Sequence, residues 1–176
     1  MKKYIIIGLI SILFFQTFST KSTNLLIPEE AIRLRVLANS NSTEDQYIKM
    51  KVSEAVQKDL YTLLKDTKGI ESARTKIGQN LPNLRTKVAD TLKQQNSNLT
   101  FQLDYGLHYF PQKTYKGVTY QEGNYESLLV TLGKGEGDNW WCVLFPPLCI
   151  MEAEETEAKE ETEYKFFIQE LIEKYL

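Results

Sequence analysis

Alternation of apolar and polar residues along residues 99–109 is the feature that most constrains the fold of this chain. Apolar or aromatic side chains occupy every odd position of the segment: Leu99, Phe101, Leu103, Tyr105, Leu107 and Tyr109. Successive side chains of a β-strand point to opposite faces of its sheet. The segment is therefore predicted to be a strand with one buried face.

Helical spacing precedes this strand. Apolar residues three or four positions apart predict a helix over residues 44–66, opened by a capping box of Thr43 and Gln46. The same spacing predicts a second helix over residues 70–81. Pro82 suits a first helical position, so it is predicted to open a third helix.

Further strands are predicted on both sides of these elements. Residues 30–38 alternate, residues 118–120 and 125–132 have strand character, and residues 140–145 are apolar on both faces. The glycine-rich residues 133–139 predict a flexible turn. A strand, three helices and then several strands predict an α+β domain, in which about three helices pack on one face of a mostly antiparallel sheet.

Residues 1–20 predict export. Lys2 and Lys3 precede an apolar run from Ile5 to Phe15, which is too short to span a bilayer but fits a signal sequence. An uncleaved signal anchor stays open as an alternative. The folded domain is then expected over residues 21–151.

The last part of the chain divides into two predicted segments. Residues 152–163 contain seven Glu and one Lys, and they are predicted to form a disordered acidic spacer. Residues 164–176 carry an apolar stripe at helical spacing and predict a short amphipathic helix. Such a helix should dock on the domain itself, on a partner, or peripherally on the membrane surface.

Charge argues against nucleic acid as a partner. The net charge of the chain is −2. Residues 21–151 hold 16 Lys and Arg against 14 Asp and Glu, which is a net charge of only +2. Binding to nucleic acid needs a concentrated basic face.

The sequence contains no recognisable catalytic, metal or cofactor motif. His108 is the only histidine, and it is expected to face solvent from the polar side of its strand. With one histidine, neither a zinc site nor a Cys–His couple is expected. Four acids keep a cell-envelope hydrolase open as the alternative function: Asp104, Glu122, Glu126 and Asp138. Solvated surface acids are the commoner interpretation of such residues.

Candidate partner-binding residues lie in two places. Arg33 and Arg35 share one face of the first predicted strand, just ahead of Asn39. They either face solvent or pair with helix acids, or they form a recognition patch for an acidic or carbonyl-rich partner. Trp140 and Trp141 adjoin the glycine-rich turn, and they are either core residues or binding anchors.

Cys142 and Cys149 are the only cysteines. In an exported protein, such a pair is compatible with a disulfide. Two reduced thiols packed as small apolar groups are the alternative.

Three stretches of the sequence together resemble the stage II sporulation protein R family of endospore-forming bacteria. They are IPEEAIRLRVLANS (residues 27–40) with EDQ (44–46), GNYE (123–126) with TLG (131–133), and GEGDNWWCVLFPPLC (135–149). The resemblance covers about residues 27–151, and the last stretch is the most specific.

This resemblance implies a function that composition does not. Proteins of the family are made in the forespore and exported into the space between the two sporulation membranes. There they activate a membrane-embedded aspartic protease of the mother cell, which processes an inactive sigma-factor precursor. The family is not known to have catalytic residues, so the resemblance implies a non-enzymatic ligand. A purely structural envelope protein is the remaining alternative.

Overall fold

The computed structural model describes residues 31–115 and 118–146. In chain order the elements are β1 (Ile32–Leu37), α1 (Thr43–Leu64), α2 (Ile70–Gln94), β2 (Phe101–Phe110), β3 (Lys113–Tyr115), β4 (Val118–Tyr120), β5 (Gly123–Leu132) and β6 (Asn139–Phe145). The predicted α+β class is confirmed. The predicted signal sequence, acidic spacer, terminal helix and Cys149 lie outside the described residues.

Four of the strands form one mixed sheet in the order β2-β5-β1-β6, and β3 pairs with β4 in a separate hairpin. β1 runs parallel to β5 and antiparallel to β6, while β2 and β5 are antiparallel. The prediction of a mostly antiparallel sheet missed the parallel pair at its centre. Alternation along a strand reports which face is buried, but it does not report the direction of the neighbouring strand.

Both helices pack on one face of the sheet. Leu34, Leu128 and Cys142 lie side by side in the register of β1, β5 and β6, and all three belong to the core. The helical stripes predicted from the sequence supply the other half of the core: Ile48, Val52, Val56, Leu60, Ala73, Ile77, Leu84 and Val88 are buried.

The prediction of three helices is wrong, because α2 continues through Pro82 for 25 residues. Proline inside a helix removes a hydrogen bond and costs about 3 kcal/mol. The buried positions Ile77 and Leu84 keep the same phase on either side of the proline, which itself lies on the exposed side. Continuous burial of the stripe therefore outweighs the local preference for a helix start.

The start of α1 also differs from the prediction. Ser42, not Thr43, is the N-cap: its hydroxyl accepts a hydrogen bond from the amide of Asp45 at 3.1 Å. Gln46 does not close a capping box, since its side-chain amide donates to the Ser40 carbonyl at 2.9 Å.

The glycine-rich turn is hydrogen-bonded to the loop between β1 and α1, and its predicted flexibility stays a prediction. The amides of Lys134 and Glu136 donate to the side-chain and backbone oxygens of Asn39, at 3.0 and 3.2 Å. The Asp138 amide donates to the Asn41 side chain at 2.6 Å. A Cβ atom at Gly137 would overlap the Ser40 backbone, so this close approach requires glycine.

Within residues 31–115 and 118–146, neither helix is long and apolar enough to cross a membrane.

Candidate functional site

The ribbon of β2 and β5 curls over the face of the sheet on which neither α1 nor α2 packs, here called the helix-free face. Phe110 ends β2 at one edge, opposite Gly123, whereas Trp141 lies in β6 at the other edge. In a flat sheet three strand spacings, about 14 Å, would separate these edges. The two ring centroids are only 5.4 Å apart. The end of the ribbon therefore folds over this face and buries Phe110 completely.

Arg33 lies beneath this ribbon. Its side chain is 3% exposed, and its guanidinium carbon lies 3.3 Å from the centroid of the Tyr125 ring and 5.3 Å from that of Phe110. Cation–π contacts stabilise a desolvated guanidinium. Arg33 is thus neither the solvated residue nor the exposed recognition residue that the sequence left open.

Arg35 joins the ribbon to β6. Its Nε donates to Asn139 Oδ1 at 3.0 Å, and its Nη1 donates to the Tyr109 carbonyl at 3.2 Å. The guanidinium carbon is also 5.7 Å from the Phe110 ring and 5.8 Å from the Trp141 ring. Partial burial lowers the pKa of Arg35, although a guanidinium remains charged at neutral pH.

Trp140 and Trp141 point to opposite faces of β6. Trp140, opposite Val36, packs against the main core under the helices. Trp141 lies on the helix-free face, where the exposed Lys113 places its Nζ 5.0 Å from the ring centroid. Trp141 Nε1 is enclosed and has no hydrogen-bond acceptor in the part of the chain that the structure describes.

We call Arg35, Phe110, Lys113 and Trp141 the cation–aromatic face. Among these, Lys113 is exposed, while Arg35 and Trp141 are partly exposed. Tryptophan and arginine are enriched among the residues that contribute most to protein–protein affinity.

Asn39 lies outside the cation–aromatic face and links the first turn of α1 to the glycine-rich turn. Its side-chain amide donates to Asp45 Oδ2 at 2.9 Å while its Oδ1 accepts from the glycine-rich turn. Hydrogen bonds from Ser40 and then Asn39 lower the pKa of Asp45. Of the five candidate binding residues, the structure brings together Arg33, Arg35 and Trp141.

Sequence reasoning missed three members of this region: Phe110, Lys113 and Tyr125. A signal for two of them was present. Phe110 breaks the alternation of β2 by placing an aromatic residue at an even position, and Tyr125 is out of phase with the core residues Leu128 and Val130 of its own strand. Both therefore face away from the helices. Nothing in the local sequence identifies Lys113.

Three of the four candidate acids have separate hydrogen-bond partners. Asp104 bonds to His108 on the helix-free face. Glu126 lies on the helix side of the sheet, where it accepts from Tyr105 Oη at 2.5 Å and from Arg74 Nε at 2.8 Å. Glu122 accepts from the Tyr109 hydroxyl at 3.0 Å. No paired-carboxylate geometry follows from these positions.

His108 is partly buried and bonded on both ring nitrogens, so the expectation of a solvent-facing residue is wrong. Nδ1 lies 2.7 Å from Ser127 Oγ and Nε2 lies 2.9 Å from Asp104 Oδ2. This arrangement has the composition of a Ser-His-Asp triad. Ser127 is 0% exposed, however, so its hydroxyl cannot reach a substrate.

Metal ligands are not assembled within the described residues, where no group of three or more His, Cys, Asp and Glu side chains could hold an ion. Cys142 is disulfide-bonded. Since Cys149 lies outside the described residues, the bridge between these two cysteines stays a prediction.

The geometry thus describes an α+β protein whose sheet carries the partly exposed cation–aromatic face. Residues 28–155 match the family model for stage II sporulation protein R (spore_II_R). The curated stage II sporulation protein R of Bacillus subtilis (strain 168) is 42% identical over 158 residues, covering 89% of this chain and 70% of that protein. No solved structure matches significantly. This chain belongs to the stage II sporulation protein R family.

Proposed function

We propose that this chain is an exported signalling protein of sporulation that activates a membrane-bound aspartic protease. In this proposal it is made in the forespore and acts in the space between forespore and mother cell, where the protease processes an inactive sigma-factor precursor. Family membership over residues 28–155 is the observation that supports a role in sporulation.

Activation is proposed to occur by binding, without a catalytic step in this chain. A ligand activates a two-state partner only by binding its active state more tightly than its inactive state. The cation–aromatic face offers such a contact, because Lys113 is exposed and Arg35 and Trp141 are partly so. Arginine and tryptophan are over-represented among residues that contribute most to interface affinity.

Reconstitution in a host that does not sporulate tests this function. The full chain, a candidate membrane aspartic protease and the sigma-factor precursor are expressed together, and precursor cleavage is followed by immunoblot. We expect cleavage only when all three are present, and loss of cleavage when a catalytic aspartate of the protease is replaced.

Two results would contradict the proposal. One is an uncleaved precursor although the chain is exported and folded. The other is equal cleavage without the chain. Cleavage that persists with the catalytically inactive protease would point to a hydrolytic activity of the chain itself.

A further inference from the structure

The cation–aromatic face is positively charged. Lys113 and Arg35 both lie beside the Trp141 ring, at 5.0 and 5.8 Å from its centroid. A third cation, Lys49 of α1, approaches the same edge of the sheet, where it donates to the Asp138 carbonyl at 3.3 Å. Burial lowers the pKa of Lys49; the nearby charge of Asp138 opposes this shift, and the charge of Lys113 adds to it. These cations make the β6 edge attractive to an acidic segment.

Trp141 provides a second, independent observation. Its Nε1 is enclosed without an acceptor among the described residues. A buried donor that lacks an acceptor is costly, so an acceptor delivered to this position would be favourable. Lys113 is exposed beside the same ring, with its Nζ 5.0 Å from the ring centroid. A carboxylate beside the ring would neutralise the neighbouring cations, and it would accept from the indole N–H once the side chains that enclose this group move.

The same chain contains a segment with this chemistry at a suitable distance. Residues 152–163 hold seven Glu against one Lys, a net charge of −6. β6 ends at Phe145, and residues 147–151 span at most about 17 Å. Returning from Pro146 to Trp141 along the strand is also about 17 Å. Once the reversal of the chain is allowed for, residues within the acidic segment can reach the cation–aromatic face.

We propose that residues 152–163 bind the cation–aromatic face of their own chain and cover Lys113 and Trp141. The segment is held by its charge, so salt weakens the contact. The contact needs no receptor, and it can be tested whether or not the chain activates a protease. A receptor that uses the same face would have to displace the segment.

Amine acetylation of the full chain measures the contact. Lys113 is followed by mass spectrometry, and Lys134, an exposed lysine of the glycine-rich turn, is the internal control. In the matched variant all seven glutamates of the segment are replaced by glutamine, which keeps its length. We expect Lys113 to be acetylated about fivefold more slowly in the natural chain than in the variant, as one or two exposed ion pairs would give. At about 1 M salt, where the Debye length is near 3 Å, the difference should vanish.

Zero-length carbodiimide crosslinking identifies the occupant. In an equal mixture of ¹⁴N- and ¹⁵N-labelled chains, we expect crosslinks from Lys113 to the segment within one isotope only. Mixed-isotope crosslinks would assign the face to a second copy of the chain and overturn the proposal. Equal protection of Lys113 and Lys134 would show only a general attraction between charges, and it too would overturn the proposal. No protection at all would leave the face open to an acidic partner, and it would equally overturn the proposal.

Discussion

The guanidinium of Arg35, in the central part of the sheet, donates a hydrogen bond to the backbone carbonyl of Tyr109, which lies 74 positions away near the end of an edge strand. The same group donates to Asn139 Oδ1 at the start of β6. One side chain therefore fixes the curled ribbon to the opposite edge of the sheet. The cation–aromatic face depends on this curl, because the curl brings Phe110 beside Trp141.

The first prediction concerns that connection. Arg35→Lys keeps the charge but removes the planar group that bonds Asn139 and Tyr109 together. We expect the free energy of unfolding, measured with urea, to fall by about 1–2 kcal/mol. Lys58→Arg, on the exposed side of α1, is the control and should change it by less than about 0.5 kcal/mol. An unchanged midpoint for Arg35→Lys would show that the two bonds do not hold the ribbon.

Lys113 allows recognition to be tested without disturbing the fold. Because Arg33 is buried, removing it would destabilise the protein and could not isolate an effect on binding. Lys113→Gln removes one exposed cation and should leave the melting temperature within about 2 °C. In the reconstituted system, with the seven glutamates of residues 152–163 also replaced by glutamine so that the face is open, we expect at least a severalfold loss of precursor cleavage, against no loss for Lys134→Gln. Equal cleavage by both variants would exclude Lys113 from the contact.

Asn39 is predicted to order the glycine-rich turn rather than to bind a partner. Asn39→Ala removes the acceptor for the Lys134 amide and the donor to Asp45. We expect faster hydrogen exchange at Lys134 and a stability loss of about 1–2 kcal/mol. Asn39→Asp keeps an acceptor for Lys134, so it should protect that amide better than alanine does. A signalling defect with unchanged exchange would instead favour direct binding by Asn39.

Alkaline pH should weaken the fold through Tyr105. Burial, together with its hydrogen bond to Glu126, raises the Tyr105 pKa above its usual value. The unfolded chain releases this proton near pH 10 while the folded chain retains it, so stability is full below about pH 10 and falls as pH rises beyond it. Urea unfolding from pH 8 to 11 should show this decline, and Tyr105→Phe should reduce its slope. If stability falls with pH at the same slope in the natural chain and in Tyr105→Phe, the decline does not come from Tyr105.

The cysteine pair gives a prediction that mass spectrometry can settle. If Cys142 and Cys149 are bridged, the exported protein should resist alkylation until it is reduced, and its mass should be about 2 Da below that of the dithiol form. Alkylation of both cysteines without reduction would exclude the bridge. Cys142→Ser, measured in parallel, should expose one reactive thiol at Cys149.

Local side-chain patterns predicted much of the secondary structure. Alternation from Leu99 to Tyr109 specified β2 to within two residues at its start and one at its end, and the stripe from Ile48 to Leu64 specified α1. These patterns depend on side-chain direction within one element, which a single stretch of sequence contains. The opposite directions of Trp140 and Trp141 follow from the same rule, so the sequence already contained that division.

The tertiary structure alone decided which elements became neighbours. Placement of β1 parallel to β5, continuation of α2 through Pro82 and the approach of Phe110 to Trp141 all depend on burial against distant residues. Arg33 shows the consequence most directly: its strand position was predicted, but its burial against Tyr125 depends on a strand more than 90 positions later. Because such contacts are between segments that only folding brings together, residue pattern determined the elements, and packing determined the face they form.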